Sequence, residues 1–209
     1  MTPMNKLRHS IISLALISSL HAKPATFVEK GGLVVIEAES TSSSLKKWDK
    51  KTKVAGYKGE CHLEFTGNKP ESGPAHSPLK YQFKITKGGN YTLVIRAHKN
   101  LVSDRQDICN DCYVRLEGDY QSGNNTPVKI LKKDTKMFGG TAKGWGYAVK
   151  LDEAHKKYTP VYQLKAGETY TLVISGRSKN FNMDRIMLIH ESHKPKKVQA
   201  SLPEESKKL

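Results

Sequence analysis

Cysteine is scarce in this chain and odd in number: Cys61, Cys109 and Cys112 are all that 209 residues contain. Three thiols are too few for the disulfide framework of a small secreted scaffold. Cys109-Asn110-Asp111-Cys112 has C-x-x-C spacing, but redox chemistry at that spacing needs a βαβ setting, and no helix signal follows it. Tetrahedral zinc needs four ligands, and only Cys61-His62 is available to complete the set. The expected arrangement is a local disulfide closing a loop, or a bridge from Cys61 to one of the pair. Long apolar runs are missing as well. The apolar stretch from Ile11 to Leu20 is half the ~20 residues that a membrane-spanning helix requires. No segment has the period of an amphipathic helix of normal length. G-x-S-x-G, H-E-x-x-H and an obvious pair of glycosidase carboxylates are absent. His62, His76, His98, His155, His190 and His193 are scattered without ligand spacing.

Negative charge is also in short supply: 20 Asp and Glu face 35 Lys and Arg, for a net charge of +15. Such an excess suits polyanionic partners, whether nucleic acid, anionic lipid or acidic polysaccharide. The first residues narrow the choice. Lys6 and Arg8 precede the apolar run, small and polar residues follow it, and Ala22 ends a cleavage-site pattern. Residues 1–22 therefore read as a secretory signal peptide. The expectation is a secreted protein, extracellular or periplasmic, with no transmembrane segment after signal removal. The expectation is then no nucleic-acid partner, with an anionic glycan or a cell surface in its place.

After a polar lead-in at 23–32, strand-like runs alternate with turn residues across 33–190. Val34-Val35-Ile36-Glu37-Ala38-Glu39 comes first. Further strands are expected at Cys61–Phe65, Leu79–Ile85, Tyr91–His98, Tyr113–Glu117, Val128–Leu131, Gly146–Leu151, Val161–Leu164, Tyr170–Ser175 and Met183–His190. Leu79-Lys80-Tyr81-Gln82-Phe83-Lys84-Ile85 alternates over its full length, as a half-buried strand does. Many short strands joined by turns imply an all-β jelly-roll sandwich. Residues 191–209, rich in Lys, Ser, Glu and Pro, read as a disordered basic tail.

Glu37 and Glu39 share one face of the first strand, because i and i+2 do in any strand. Paired carboxylates among apolar residues are costly without a cation. On the residues alone, that cation is either a metal ion shared with Asp184 or a side chain such as Arg185 or a nearby lysine.

Five segments, in order, carry a family resemblance. They are Val35-Ile36-Glu37-Ala38-Glu39, Gly56-Tyr57-Lys58-Gly59, Gly88 to Arg96, Ala166 to Leu172, and Arg177 to Ile186. Together they resemble the galactose-binding-like β-sandwich carbohydrate-binding modules, most nearly those grouped with families 6 and 35. The resemblance implies a structural Ca²⁺ held by Glu37, Glu39 and Asp184, away from the sugar. It also implies a sugar site in loops at one end of the sandwich, with Tyr57, Trp145 and Asn182 at corresponding positions. Trp145 is the strongest candidate on local grounds, since Gly139-Gly140-Thr141-Ala142-Lys143-Gly144-Trp145-Gly146 is too polar for a core segment. An aromatic ring suits the apolar C–H face of a pyranose. Arg177 and Asn180 lie in the same pre-terminal loop as Asn182, and Arg177 can fork to a carboxylate or sulfate, or to a loop acid.

The leading reading is a non-catalytic glycan-binding domain for an acidic or sulfated polysaccharide, with no catalytic residues. The alternatives are a polysaccharide lyase or hydrolase on the same scaffold, for which Tyr162, Gln163, His98 and Arg96 supply residue types, and an adhesive cell-surface protein.

Overall fold

The computed structural model describes residues 25–209, and the expected signal peptide lies outside them. Fourteen strands and two short helices follow one another: β1 (Thr26–Val28), β2 (Leu33–Glu37), β3 (Trp48–Lys51), β4 (His62–Phe65), β5 (His76–Lys84), β6 (Gly89–Lys99), β7 (Asp111–Glu117), β8 (Gln121–Ser122), α1 (Val128–Leu131), β9 (Thr135–Gly139), β10 (Gly146–Glu153), β11 (Lys156–Tyr158), β12 (Val161–Leu164), β13 (Thr169–Gly176), β14 (Phe181–His190) and α2 (Pro195–Ser201). The hydrogen-bonded order is β1-β5-β13-β7-β9-β10-β6-β14-β4-β3. One edge of β14 is shared, with β4 taking its first residues and β2 its last. β1 runs parallel to β5, and the other pairings are antiparallel.

This sheet curls until its two limbs face each other across one core, giving the expected jelly-roll sandwich. Tyr81 of β5 donates its hydroxyl hydrogen across the gap to the Ala38 carbonyl, 2.7 Å away. Phe65 of β4 presses on β13 where Gly176 has no side chain, and a Cβ there would lie 2.2 Å from its ring. The alternating residues Leu79, Tyr81, Phe83 and Ile85 all join the core, as the period-two pattern predicts.

Three expectations need correction. Val128–Leu131 is a single helical turn. Four apolar residues suit a strand or a helix equally well, and here they follow Pro127 and bury Ile130 and Leu131. The cysteines form no bridge: all three are free and buried. Cys112 faces the core from β7, whereas the Cys61 amide lies 3.2 Å from Glu39 on the other limb. Burial pushes the three thiols up, so they act as small packing groups.

The third correction concerns both ends of the chain. The lead-in contributes β1, with Phe27 in the core. Instead of a disordered tail, residues 195–209 form α2 and an extended strap. Val198 packs on Val35, Val94, Met187 and Ile189. All ten residues of β14 are buried, so its outer apolar face needs a cover as its inner face does. The strap then fills the space between two sheet edges. Ser206 and Glu205 meet β2, while the Val28 amide donates to the Lys207 carbonyl and Leu209 to Thr26, at 2.8 and 2.9 Å.

Candidate glycan site and the acidic run

Trp145 enters through a loop that only glycine allows. Gly139 has φ +150°, and a Cβ there would fall 2.3 Å from the Tyr147 carbonyl oxygen. The loop turns back so that the Lys99 amide donates to the Thr141 carbonyl (2.9 Å). Trp145 is thus set, half-buried, at the start of β10. Its indole N–H donates to the Ala55 carbonyl (3.1 Å). His62 and His98 meet its ring edge-on at 5.3 and 5.9 Å between centroids. The Arg96 guanidinium lies over the ring at 5.1 Å, a cation–π contact. Tyr57 packs against His62, with ring centroids 6.0 Å apart.

Strand alternation extends this cluster. His62 and Glu64 share a face of β4, and Arg96 and His98 share a face of β6. Asn182 stands opposite both Glu64 and His98 in the sheet. Asn100 donates to Glu64 (3.0 Å), and Lys53 pairs with the same carboxylate (3.0 Å). Burial raises the Glu64 carboxyl, but Lys53 and Asn100 outweigh it and hold it below the usual range. Lys53, Val54, Ala55, His98, Asn100 and Gly144 edge an open hollow of about 420 Å³.

His98 leaves one acceptor free at this hollow, and two buried polar atoms of its neighbours His62 and Asn182 have no protein partner. His98 Nδ1 is 2.7 Å from the Gly144 carbonyl, which only accepts, so Nδ1 carries the hydrogen and Nε2 is left as an acceptor. The Val54 amide points at His62 Nε2 (3.4 Å), so the His62 hydrogen sits on Nδ1. That Nδ1 is buried and unpartnered, as is Asn182 Oδ1. Burial pushes the His62 imidazole down to about 4, which keeps it neutral near pH 7.

The structure brings Tyr57, Trp145, Asn180 and Asn182 to this end of the sandwich. The Asn180 carbonyl accepts from the Asn100 amide (3.2 Å) and the Asn182 side chain (2.9 Å). Arg177 lies elsewhere. It donates to Asp111 (2.5 Å), and its guanidinium lies 5.7 Å from the Tyr113 ring. It lines a separate hollow with Tyr113, Asp134, Lys136 and Asp152. Sequence reasoning missed His62, Glu64, His98 and Asn100 as one group. The i, i+2 spacing within His62-Leu63-Glu64 and Arg96-Ala97-His98 was the available signal. The lyase set does not assemble: Tyr162 is in the core against Tyr120, while Arg96 and His98 face outward beside Trp145.

The acidic run is built differently. β2 stops at Glu37, and Glu39 sits in the turn after it, where the Ser40 amide donates to the Glu37 carbonyl (3.0 Å). Arg185, opposite Glu37 in the sheet, forks it: Nε reaches one carboxylate oxygen at 3.1 Å and Nη2 binds the other. Asp184 accepts from Arg96 Nη1 (2.5 Å) on one oxygen and from the Lys58 amide (2.7 Å) on the other. Glu39 accepts through Oε1 from the Glu60 and Cys61 amides (2.7 and 3.2 Å), while its Oε2 is buried and unpartnered. Gly59 permits this approach, since at φ +70° a Cβ would fall 2.2 Å from Glu39 Oε1. Burial raises the Glu39 carboxyl, against those backbone N–H groups.

Ca²⁺ asks for six to eight oxygens. Each oxygen of Glu37 and of Asp184 already accepts from a donor, two of them from a forked guanidinium, and among the three residues only Glu39 Oε2 accepts from none. No three His, Cys, Asp or Glu side chains converge in metal-ligand geometry among the described residues. As arranged, the set does not fit the ion.

No curated protein matches this chain. Solved structures share its fold. The Podospora anserina β-(1,4)-mannanase with a family 35 carbohydrate-binding module is 19% identical with a TM-score of 0.50, over 79% of this chain and 29% of that one. This chain thus spans less than a third of that enzyme. A family 35 module from an environmental isolate is 14% identical (TM-score 0.47, 75% and 93% covered). Another, from Paenibacillus barcinonensis, is 16% identical (TM-score 0.46, 76% and 99% covered). The fold is that of the galactose-binding-like carbohydrate-binding β-sandwiches, and residues 26–198 match the model of one family, so the chain belongs to the glycosyl hydrolase family 115 C-terminal domains.

Proposed function

We propose that this domain binds a glycan at the Trp145 end of the sandwich. The observation that carries the reading is a half-buried tryptophan, braced by two histidines, beside an open hollow lined by His98, Asn100 and Lys53. The indole offers a surface for the apolar face of a pyranose. His98 Nε2 accepts from a sugar hydroxyl, and Asn100 and Lys53 stand on the rim. Lys53 and the +13 left when Lys6 and Arg8 are taken from the +15 with the segment 1–22 favour an acidic or sulfated polysaccharide, since an ammonium with spare donors suits a carboxylate or sulfate. Export through the segment 1–22 would place the domain where such polymers occur.

Affinity electrophoresis in gels containing uronate, sulfated and neutral polysaccharides tests the reading. Retardation is expected in the anionic gels, and Trp145→Ala should abolish it while leaving the thermal midpoint within a few degrees. Retardation that survives Trp145→Ala removes the site. Retardation confined to neutral gels removes the anionic preference.

A further inference from the structure

We propose that this chain closes its acidic run with its own arginines, so that Arg185 and Arg96 replace a divalent cation in joining the first strand, the last strand and the C-terminal strap. Arg185 is 3% exposed and Arg96 7%. Both are committed, one to Glu37 and the other to Asp184. Glu37 and Asp184 are thus each matched by a guanidinium, and Glu39 is held by two backbone donors, the Glu60 and Cys61 amides. A Ca²⁺ ion here would lie beside two buried cations and would have to break a bidentate fork to reach Glu37, both at high cost.

The guanidinium also does what a spherical ion does not. Arg185 spends its remaining Nη1 on the Pro203 carbonyl of the strap. Glu205 of the same strap accepts from the Glu37 amide (3.0 Å). One side chain therefore ties β2, β14 and the strap together. The matched family segment ends at 198, so this third tie lies beyond it.

The test uses the full chain, dialysed exhaustively against EDTA and then returned to excess CaCl₂. Thermal unfolding and equilibrium dialysis with radioactive calcium are read together. Coincident melting curves and no retained calcium are expected. A calcium-dependent rise in Tm with one ion held per chain overturns the proposal, and this comparison stands whether or not any variant folds. Arg185→Met should lower Tm by on the order of 10 °C, with calcium restoring none of it. It should also speed amide exchange at 204–207, which ordinary loss of packing elsewhere would leave slow. Unchanged exchange in the strap, or rescue by calcium, equally overturns the proposal.

Discussion

The two polar clusters of this molecule lie on one sheet and share Arg96, yet they differ in how their hydrogen bonds are settled. Around Glu37, Asp184 and Arg185 nearly every charged atom has a protein partner. Around Trp145, a histidine N–H and an asparagine oxygen have none, and an aromatic ring stays half-exposed. A buried polar group without a partner costs roughly 1–3 kcal/mol. Glu39 Oε2 carries that cost in the clamp too, so the half-exposed indole with a free His98 acceptor beside it is what sets the site apart. An exposed aromatic ring, more than the charge of the residues, separates the site from the clamp.

Variants can break or sharpen this contrast. The largest effect belongs to the clamp. Arg185→Met leaves Glu37 buried without its cation and should cost about 3–5 kcal/mol of stability in chemical denaturation, with glycan retention by the folded fraction unchanged. Lost retention at full stability would merge the two regions.

Next comes pH. His62 is held near 4 in the folded chain, against about 6.5 when unfolded. Between those values the unfolded state binds the proton and the folded state does not. Stability is therefore complete above about pH 6.5, falls as pH drops towards 4, and levels off below that, by on the order of 3 kcal/mol. Glu64 opposes the shift, while His98, Lys53 and Lys51 add to it. His62→Gln should flatten that part of the pH–stability curve, and an unchanged slope would assign it to the carboxylates.

Trp145→Ala should cost about 2 kcal/mol or more of glycan affinity and little stability. Val198→Ala, under the C-terminal helix, should cost about 1–2 kcal/mol and loosen only the strap in amide exchange. Smallest of all, Arg177→Met should leave glycan affinity unchanged, because its guanidinium already serves Asp111 and Tyr113. A large loss there would move the ligand to the second hollow.

The β-sandwich was legible because alternation survives in long, half-buried strands such as Leu79–Ile85 and because turn residues separate them. β3 was hidden by its composition: Trp48-Asp49-Lys50-Lys51 is an edge strand, where lysine discourages further pairing. The strap was misread because composition reports what a segment contains and not what waits for it. The waiting partner, an apolar face formed by Val35, Val94, Met187 and Ile189, was present in the sequence as strands apolar on both sides. At the site, Trp145 stood out by its glycine-rich surroundings. His62, His98 and Asn100 did not: the i, i+2 spacing within each strand was there to read, but the register of β4, β14 and β6 is what brings the strands' residues together. For Glu37, adjacency to Arg185 was one of two open pairings, and only the register of β2 on β14 distinguishes them.

The chain has two tryptophans, and the fold gives them opposite surroundings. Trp48 is 2% exposed, its ring against Phe65 and its N–H on the Ser77 carbonyl. Trp145 is half-exposed and edge-on to two imidazoles. The intrinsic fluorescence of the protein is therefore a sum of a blue-shifted, constant emitter and a red-shifted one that water, ligand and imidazolium quench. Occupancy of the site and titration of His62 can both be read optically on the unlabelled chain, with Trp48 as the internal standard.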